Sequence, residues 1–213
     1  MSAPVVHWSA GPAERTGTPL IAALHGRGSD EHSLAGLTPY LPPGVTVAAV
    51  RAPIPEGRGY AWFANRGIGR PQAESIASTA KSLFDWLDTV QAQHSAVMLL
   101  GFSGGMAMAG GLLMAQPQRF AAALLLSGTL PWDAELPEEA GRLSGIPVFW
   151  GRDVADTVIP GDLVQRTGAW LREKSGADLH ERRYSGLGHS ISTEELDDIR
   201  GFLADAMTSS ARE

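Results

Sequence analysis

The chain reads as an α/β protein with a mostly parallel central sheet and helices on both faces. Three observations predict this. Continuous apolar runs of strand length recur along the chain, as strands buried on both faces require. Segments with three- and four-residue apolar spacing lie between several of them. Glycine-rich stretches follow the apolar runs, where a chain would leave the edge of a sheet. A length of 213 residues suits one α/β domain with a well-buried core, expected over 1–207, with a disordered tail over 208–213.

Val5 to Trp8 suits a short edge strand. Leu20-Ile21-Ala22-Ala23-Leu24 is a buried central strand that runs into His25-Gly26-Arg27-Gly28. Val45 to Val50 is a second buried strand. Arg51 to about Pro71 is then long and irregular, rich in Gly and Pro, and carries Tyr60, Trp62 and Phe63. Loops of that length inside a domain are mostly functional, so its aromatics either line a substrate or staple the loop to the core. Ala73 to about His94 is an amphipathic helix with Ile76, Ala80, Leu83, Phe84, Leu87 and Val90 on one face. Ala96 to Leu100 is a strand, followed by an apolar helix that stops at Gln116-Pro117.

Ala121 to Leu126 and Ile146 to Trp150 are further strands, and the short gap between them leaves no room for a lid domain. A helix from Pro160 to about Lys174 and an edge strand over Ala177 to Tyr184 complete the alternation. The closing helix starts at Ser192, where Ser192 and Glu195 fit a capping box and Ile191 and Leu196 a hydrophobic staple.

Composition narrows the chemistry. Seventeen basic against 23 acidic residues give a net charge of −6, and no basic cluster points to nucleic acid. The absence of cysteine rules out disulfides, thiolate nucleophiles and Cys-based zinc sites. Met1 to Gly17 lacks a basic segment followed by an apolar core, so the expected location is cytoplasmic.

The informative motif is Gly101-Phe102-Ser103-Gly104-Gly105. It fits G-x-S-x-G, in which a serine sits on a tight strand-to-helix turn with no room for side chains two residues either side. Two other readings compete. No charge falls between His94 and Arg119, but glycines and Ser103 interrupt the roughly 20 apolar residues a spanning helix needs. A dinucleotide loop would need glycine where Ser103 stands. A serine nucleophile also needs a base and a group that orients the base. An acid after the Trp150 strand and His189 follow Ser103 in the order Ser…Asp…His. All three lie after strands, at one sheet edge.

At these residues the chain resembles the phospholipase/carboxylesterase branch of the α/β-hydrolase superfamily, which includes acyl-protein thioesterases and small bacterial carboxylesterases. The likeness rests on Leu24-His25-Gly26-Arg27-Gly28, Gly101 to Gly105, Asp156-Thr157-Val158-Ile159-Pro160 and Gly188-His189-Ser190-Ile191-Ser192. Arg51-Ala52-Pro53 and Trp62-Phe63 add to it.

The resemblance implies an α/β-hydrolase fold, Ser103 as nucleophile, Asp156 as orienting acid and His189 as base. The backbone N–H groups of Arg27 and Gly104 would form the oxyanion hole. Two departures stand out: relatives often carry glutamine in place of Gly104 and a small apolar residue in place of Arg27. The Arg27 side chain either places charge near the leaving group or points to solvent, the second being preferred. Asp153 competes with Asp156 for the acid, and the family-like Val158-Ile159-Pro160 favours Asp156. His25 is the rival base, read instead as a structural hydrogen-bonding group. His25 and His32 lack a third ligand for a metal, and no cofactor is implied.

The expected activity is that of a serine carboxylesterase acting on a short-chain, small-molecule ester through an acyl-serine. Acyl thioester or lysophospholipid hydrolysis is the alternative, and an inactive binding module a remote one. Candidate substrate-wall residues are Trp62, Phe63, Met106, Leu130, Trp132, Ile159 and Leu187. Neither a nucleic-acid partner nor a membrane span is expected, and monomer and homodimer stay equally open.

Overall fold

The computed structural model describes residues 3–210. Its frame is a seven-stranded sheet that follows from the apolar runs. The first strand, β1 (Val6–Trp8), is an edge, and β2 (Leu20–Leu24) and β3 (Thr46–Val50) are buried at every position. The irregular 51–71 segment forms two hairpins, β4 (Ile54–Glu56) with β5 (Gly59–Ala61) and β6 (Asn65–Gly67) with β7 (Arg70–Pro71). There follow α1 (Ala73–Val90), β8 (Val97–Phe102), α2 (Gly104–Ala115) and β9 (Ala122–Leu126). The chain then runs through β10 (Pro147–Asp153), α3 (Gly161–Glu173), β11 (Asp178–Tyr184) and α4 (Thr193–Ser210).

Strand order is β1-β3-β2-β8-β9-β10-β11. Only β1 runs antiparallel, pairing Val6 with Val50; the other neighbours are parallel. Alternation along β2 divides the core. Leu20, Ala22 and Leu24 face α1, α2 and α3, while Ile21 and Ala23 face α4 and the 3-10 turn Ala35–Tyr40. Both faces are thus covered, as a parallel sheet needs.

Helix α2 is apolar almost all round, with Met106, Met108, Ala109, Leu112 and Leu113 buried, which suits a helix in the interior of the fold. It has only twelve residues, and among the described residues no helix is long and apolar enough to cross a membrane.

Two expectations change. Helix α4 continues to Ser210, so residues 208–210 of the expected tail are helical, and 211–213 lie outside the described residues. The capping box forms only by half. Glu195 N–H donates to Ser192 Oγ at 3.1 Å, but neither Glu195 carboxyl oxygen has a hydrogen-bond partner among the described residues. Instead the carboxyl is buried over Gly151 of β10, 2.1 Å from where a Cβ would stand. Ile191 and Leu196 do pack in one cluster.

Candidate active site

The turn between β8 and α2 shows why its sequence is glycine-rich. Ser103 sits at φ 55° and ψ −118°, a strained conformation for a residue with a side chain. A Cβ on Gly105 would lie 1.9 Å from the Leu24 carbonyl oxygen, and one on Gly101 would lie 2.3 Å from the Gly105 carbonyl oxygen. Neither position admits a side chain without moving backbone. The Ser103 N–H donates to the Leu126 carbonyl at 3.0 Å, which ties the turn to β9.

Three loops meet over this serine. His189 Nε2 lies 2.8 Å from Ser103 Oγ, and His189 Nδ1 lies 2.8 Å from Asp156 Oδ2. A carboxylate on Nδ1 holds the proton there and leaves Nε2 free to accept from the hydroxyl. The second Asp156 oxygen accepts from the N–H groups of Val158 at 2.8 Å and Ile159 at 3.4 Å. These bonds fix the carboxylate's direction. A hydroxyl, an imidazole and a carboxylate in one hydrogen-bonded line can move a proton off the hydroxyl.

Asp153, the competing acid, does something else. It is 2 % exposed, and its Oδ1 accepts from the Ala155 N–H at 2.6 Å. Its Oδ2 accepts from the N–H groups of Leu187 at 2.5 Å and Gly188 at 3.1 Å. The Ala155 N–H, then those of Leu187 and Gly188, hold its pKa below the usual carboxylate value against the effect of burial. Asp153 fastens the loop that carries His189, while Asp156 meets the ring.

The backbones of Arg27 and Gly104 come close together beside Ser103. A Cβ on Gly104 would lie 3.4 Å from the Arg27 nitrogen, and neither N–H donates a hydrogen bond among the described residues. The Arg27 side chain is exposed, as preferred, borders the cleft at Ser103, and is also tied down. Its Nε donates to Glu56 Oε1 at 2.6 Å, its Nη2 pairs with Glu56 Oε2, and its Nη1 donates to the Phe63 carbonyl at 3.0 Å. It fastens the β4–β5 hairpin to the Gly26–Gly28 turn.

His25 is buried and both ring nitrogens are engaged. Nδ1 lies 2.8 Å from the Gly26 carbonyl, and Nε2 accepts from the Ala52 N–H at 3.1 Å. Burial, foremost, lowers its pKa. Such a group is neutral and structural. His32 contacts Glu31, and among the described residues no group of three or more His, Asp or Glu could hold a metal.

A cleft of about 260 Å³ opens at Ser103 and His189. Of the expected wall, Phe63 and Ile159 line it. Trp62, Met106, Leu130 and Trp132 are buried in the core instead. The Trp62 indole N–H donates to the His25 carbonyl at 2.7 Å, so it staples the loop. Leu187 lies outside the lining, its N–H given to Asp153. Residues that sequence reasoning missed are Asn65, Ile68 and Gly69 of the β6–β7 hairpin, Ala107, Thr129 and Val158. Only Val158 carried a signal, through its place two residues after Asp156.

Comparison with known proteins agrees with this architecture. Residues 11–207 match the family described as Phospholipase/Carboxylesterase. Acyl-protein thioesterase 1 of Candida albicans is 26% identical over 170 residues, covering 73% of this chain and 74% of that one. The Bacillus cereus carboxylesterase shares the fold, with a TM-score of 0.81 at 20% identity over 94% of this chain and 93% of that one. Acyl-protein thioesterase 2 of Zea mays superposes with a TM-score of 0.78 at 25% identity, covering 96% and 99%. The chain belongs to the phospholipase/carboxylesterase family of the α/β-hydrolase superfamily, and its activity at family level is that of an esterase- or thioesterase-type hydrolase.

Proposed function

We propose that the protein is a serine carboxylesterase that hydrolyses short-chain esters through an acyl-Ser103 intermediate. The observation that carries this reading is the unbroken line Asp156–His189–Ser103, with 2.8 Å at each step. His189 Nε2 takes the hydroxyl proton as Ser103 Oγ bonds to the ester carbonyl carbon. The resulting oxyanion is held by the N–H groups of Arg27 and Gly104, the second at the positive end of α2. His189 then gives its proton to the departing alkoxide as the C–O bond breaks. Water, deprotonated by His189, releases the acid and restores the serine.

The cleft volume supports short substrates, since about 260 Å³ falls below the roughly 300–1,000 Å³ of sites for drug-sized ligands. Its rim carries the exposed apolar side chains of Ile68 and Val158 beside Arg27. A series of p-nitrophenyl esters from acetate to palmitate, run beside Ser103→Ala, tests the reading. Acetate and butyrate should be preferred, and the variant should be inactive. Equal turnover by wild type and variant would refute it.

A second reading is acyl thioester hydrolysis, favoured by the likeness to acyl-protein thioesterase 1 of Candida albicans. The same residues would act, and only the leaving group differs. Matched butyryl ester and butyryl thioester substrates separate the two by kcat/KM.

A further inference from the structure

The His189 imidazole has a contact besides the hydrogen bonds at its two nitrogens. The Phe102 ring centroid stands 5.1 Å from that of His189, with the planes 42° apart, within the range at which aromatic rings pack. This contact has work to do. Asp156 and Ser103 meet the imidazole at Nδ1 and Nε2, each at 2.8 Å. A ring held at two points can still turn about the line through them. Asp153 restrains only the backbone before the histidine, through the N–H groups of Leu187 and Gly188. A packed neighbour is what resists the turn.

Phe102 is itself firmly placed. It ends β8, where it pairs with Leu126 of β9, and its half-buried side chain packs on the cluster beneath α4. A Cβ on Gly26 would lie 3.2 Å from Phe102 Cδ1. Gly26 does not have a positive φ, so the close approach of the Phe102 ring is what its missing side chain permits. Phe102 is not among the residues lining the cleft. One peptide bond joins it to Ser103, so the nucleophile and the ring beside the base share one rigid turn.

We propose that Phe102 is a positioning residue, whose ring holds the His189 imidazole at the tilt that aims Nε2 at the reacting oxygens. The role rests on the esterase reading above, in which His189 is first a base and then an acid. The two tasks are separable by leaving group. p-Nitrophenolate departs without a proton, so acylation by its ester needs His189 only as base. Ethoxide needs a proton delivered as the C–O bond breaks, so an ethyl ester needs both. A loosened imidazole therefore loses more on the ethyl ester.

Phe102→Leu keeps apolar bulk and removes the flat ring. With folding checked by far-UV circular dichroism, kcat/KM should fall about tenfold on p-nitrophenyl butyrate and about 10²-fold on ethyl butyrate. Phe102→Tyr restores the ring and should recover most of both rates. Equal losses on the two esters mark a merely structural role and overturn the proposal. An unimpaired Phe102→Leu, or a Phe102→Tyr as impaired as Phe102→Leu, overturns it equally. The wild type gives a test that needs no folded Phe102 variant. Nuclear Overhauser effects should link the Phe102 ring protons to His189 ring signals, identified by their loss in His189→Ala, and their absence overturns the proposal. Full activity of His189→Ala on both esters would instead refute the esterase reading itself.

Discussion

Glu195 offers a quantitative test of how the start of α4 is built. Its carboxyl is buried over Gly151 without a hydrogen bond among the described residues. Burial, foremost, raises its pKa from 4.5 to about 7; Asp198 adds to the shift, and the nearby Ser192 N–H opposes it without forming a bond. The folded protein thus holds a proton that the unfolded chain gives up near pH 4.5. Below that pH the group is protonated in both states and has no effect on stability. Between pH 4.5 and 7 only the unfolded chain ionises, so stability falls as pH rises. Above pH 7 both states are ionised and the loss levels off at about 3 kcal/mol. Glu195→Gln keeps the shape and removes the titration. Urea unfolding at pH 4 should show wild type and variant alike. At pH 8 the variant should be more stable by about 3 kcal/mol, or about 1 M in midpoint for a slope near 3 kcal/mol/M. Other carboxylates titrate in both proteins and cancel. A gap that does not change with pH, or a variant weaker at pH 8, would refute the reasoning.

The two loop aspartates should separate in kinetics. Asp156→Asn loses the acceptor that holds the Nδ1 proton, and kcat should drop by a factor on the order of 10⁴. Asp153→Asn puts an amide N–H₂ against at least one loop N–H, and kcat should drop about 10–10² through displacement of His189. A p-nitrophenyl acetate assay distinguishes them, and Asp153→Asn with unchanged kcat would remove its positioning role. Ser103→Gly removes the hydroxyl and relieves the positive-φ strain, so thermal unfolding should show it more stable than wild type by about 1 kcal/mol.

What the sequence reveals depends on whether the constraint is local. The Leu20–Leu24 run gives β2 to the residue, because a strand buried on both faces has no polar position to blur it. Gly101 and Gly105 are legible because backbone contacts at 2.3 and 1.9 Å forbid any Cβ, a requirement written into residue type. The β4–β5 and β6–β7 hairpins are not legible, since strands of two or three residues carry no period. Nor can an aromatic's partner be read from spacing. Trp62 and Phe63 are neighbours, yet the first is fixed by the His25 carbonyl 37 residues away and the second faces the cleft. The Arg27–Glu56 pair, 29 residues apart, is hidden for the same reason.

The choice between Asp153 and Asp156 shows what such hidden contacts do. Asp153 ends β10 and Asp156 follows it, and both bind the loop that ends at His189. One takes its backbone and the other its ring, so position and proton are controlled separately. A single carboxylate could not do both, because each oxygen of Asp153 is already occupied by N–H groups. Arg27 acts likewise on the other side, where its backbone lies against Gly104 while its side chain anchors the hairpin. His189 and the Arg27 turn are therefore held by polar contacts that reach across the sheet edge. Replacing Glu56 by Gln should loosen the Arg27 turn and reduce kcat without touching the Asp156–His189–Ser103 line.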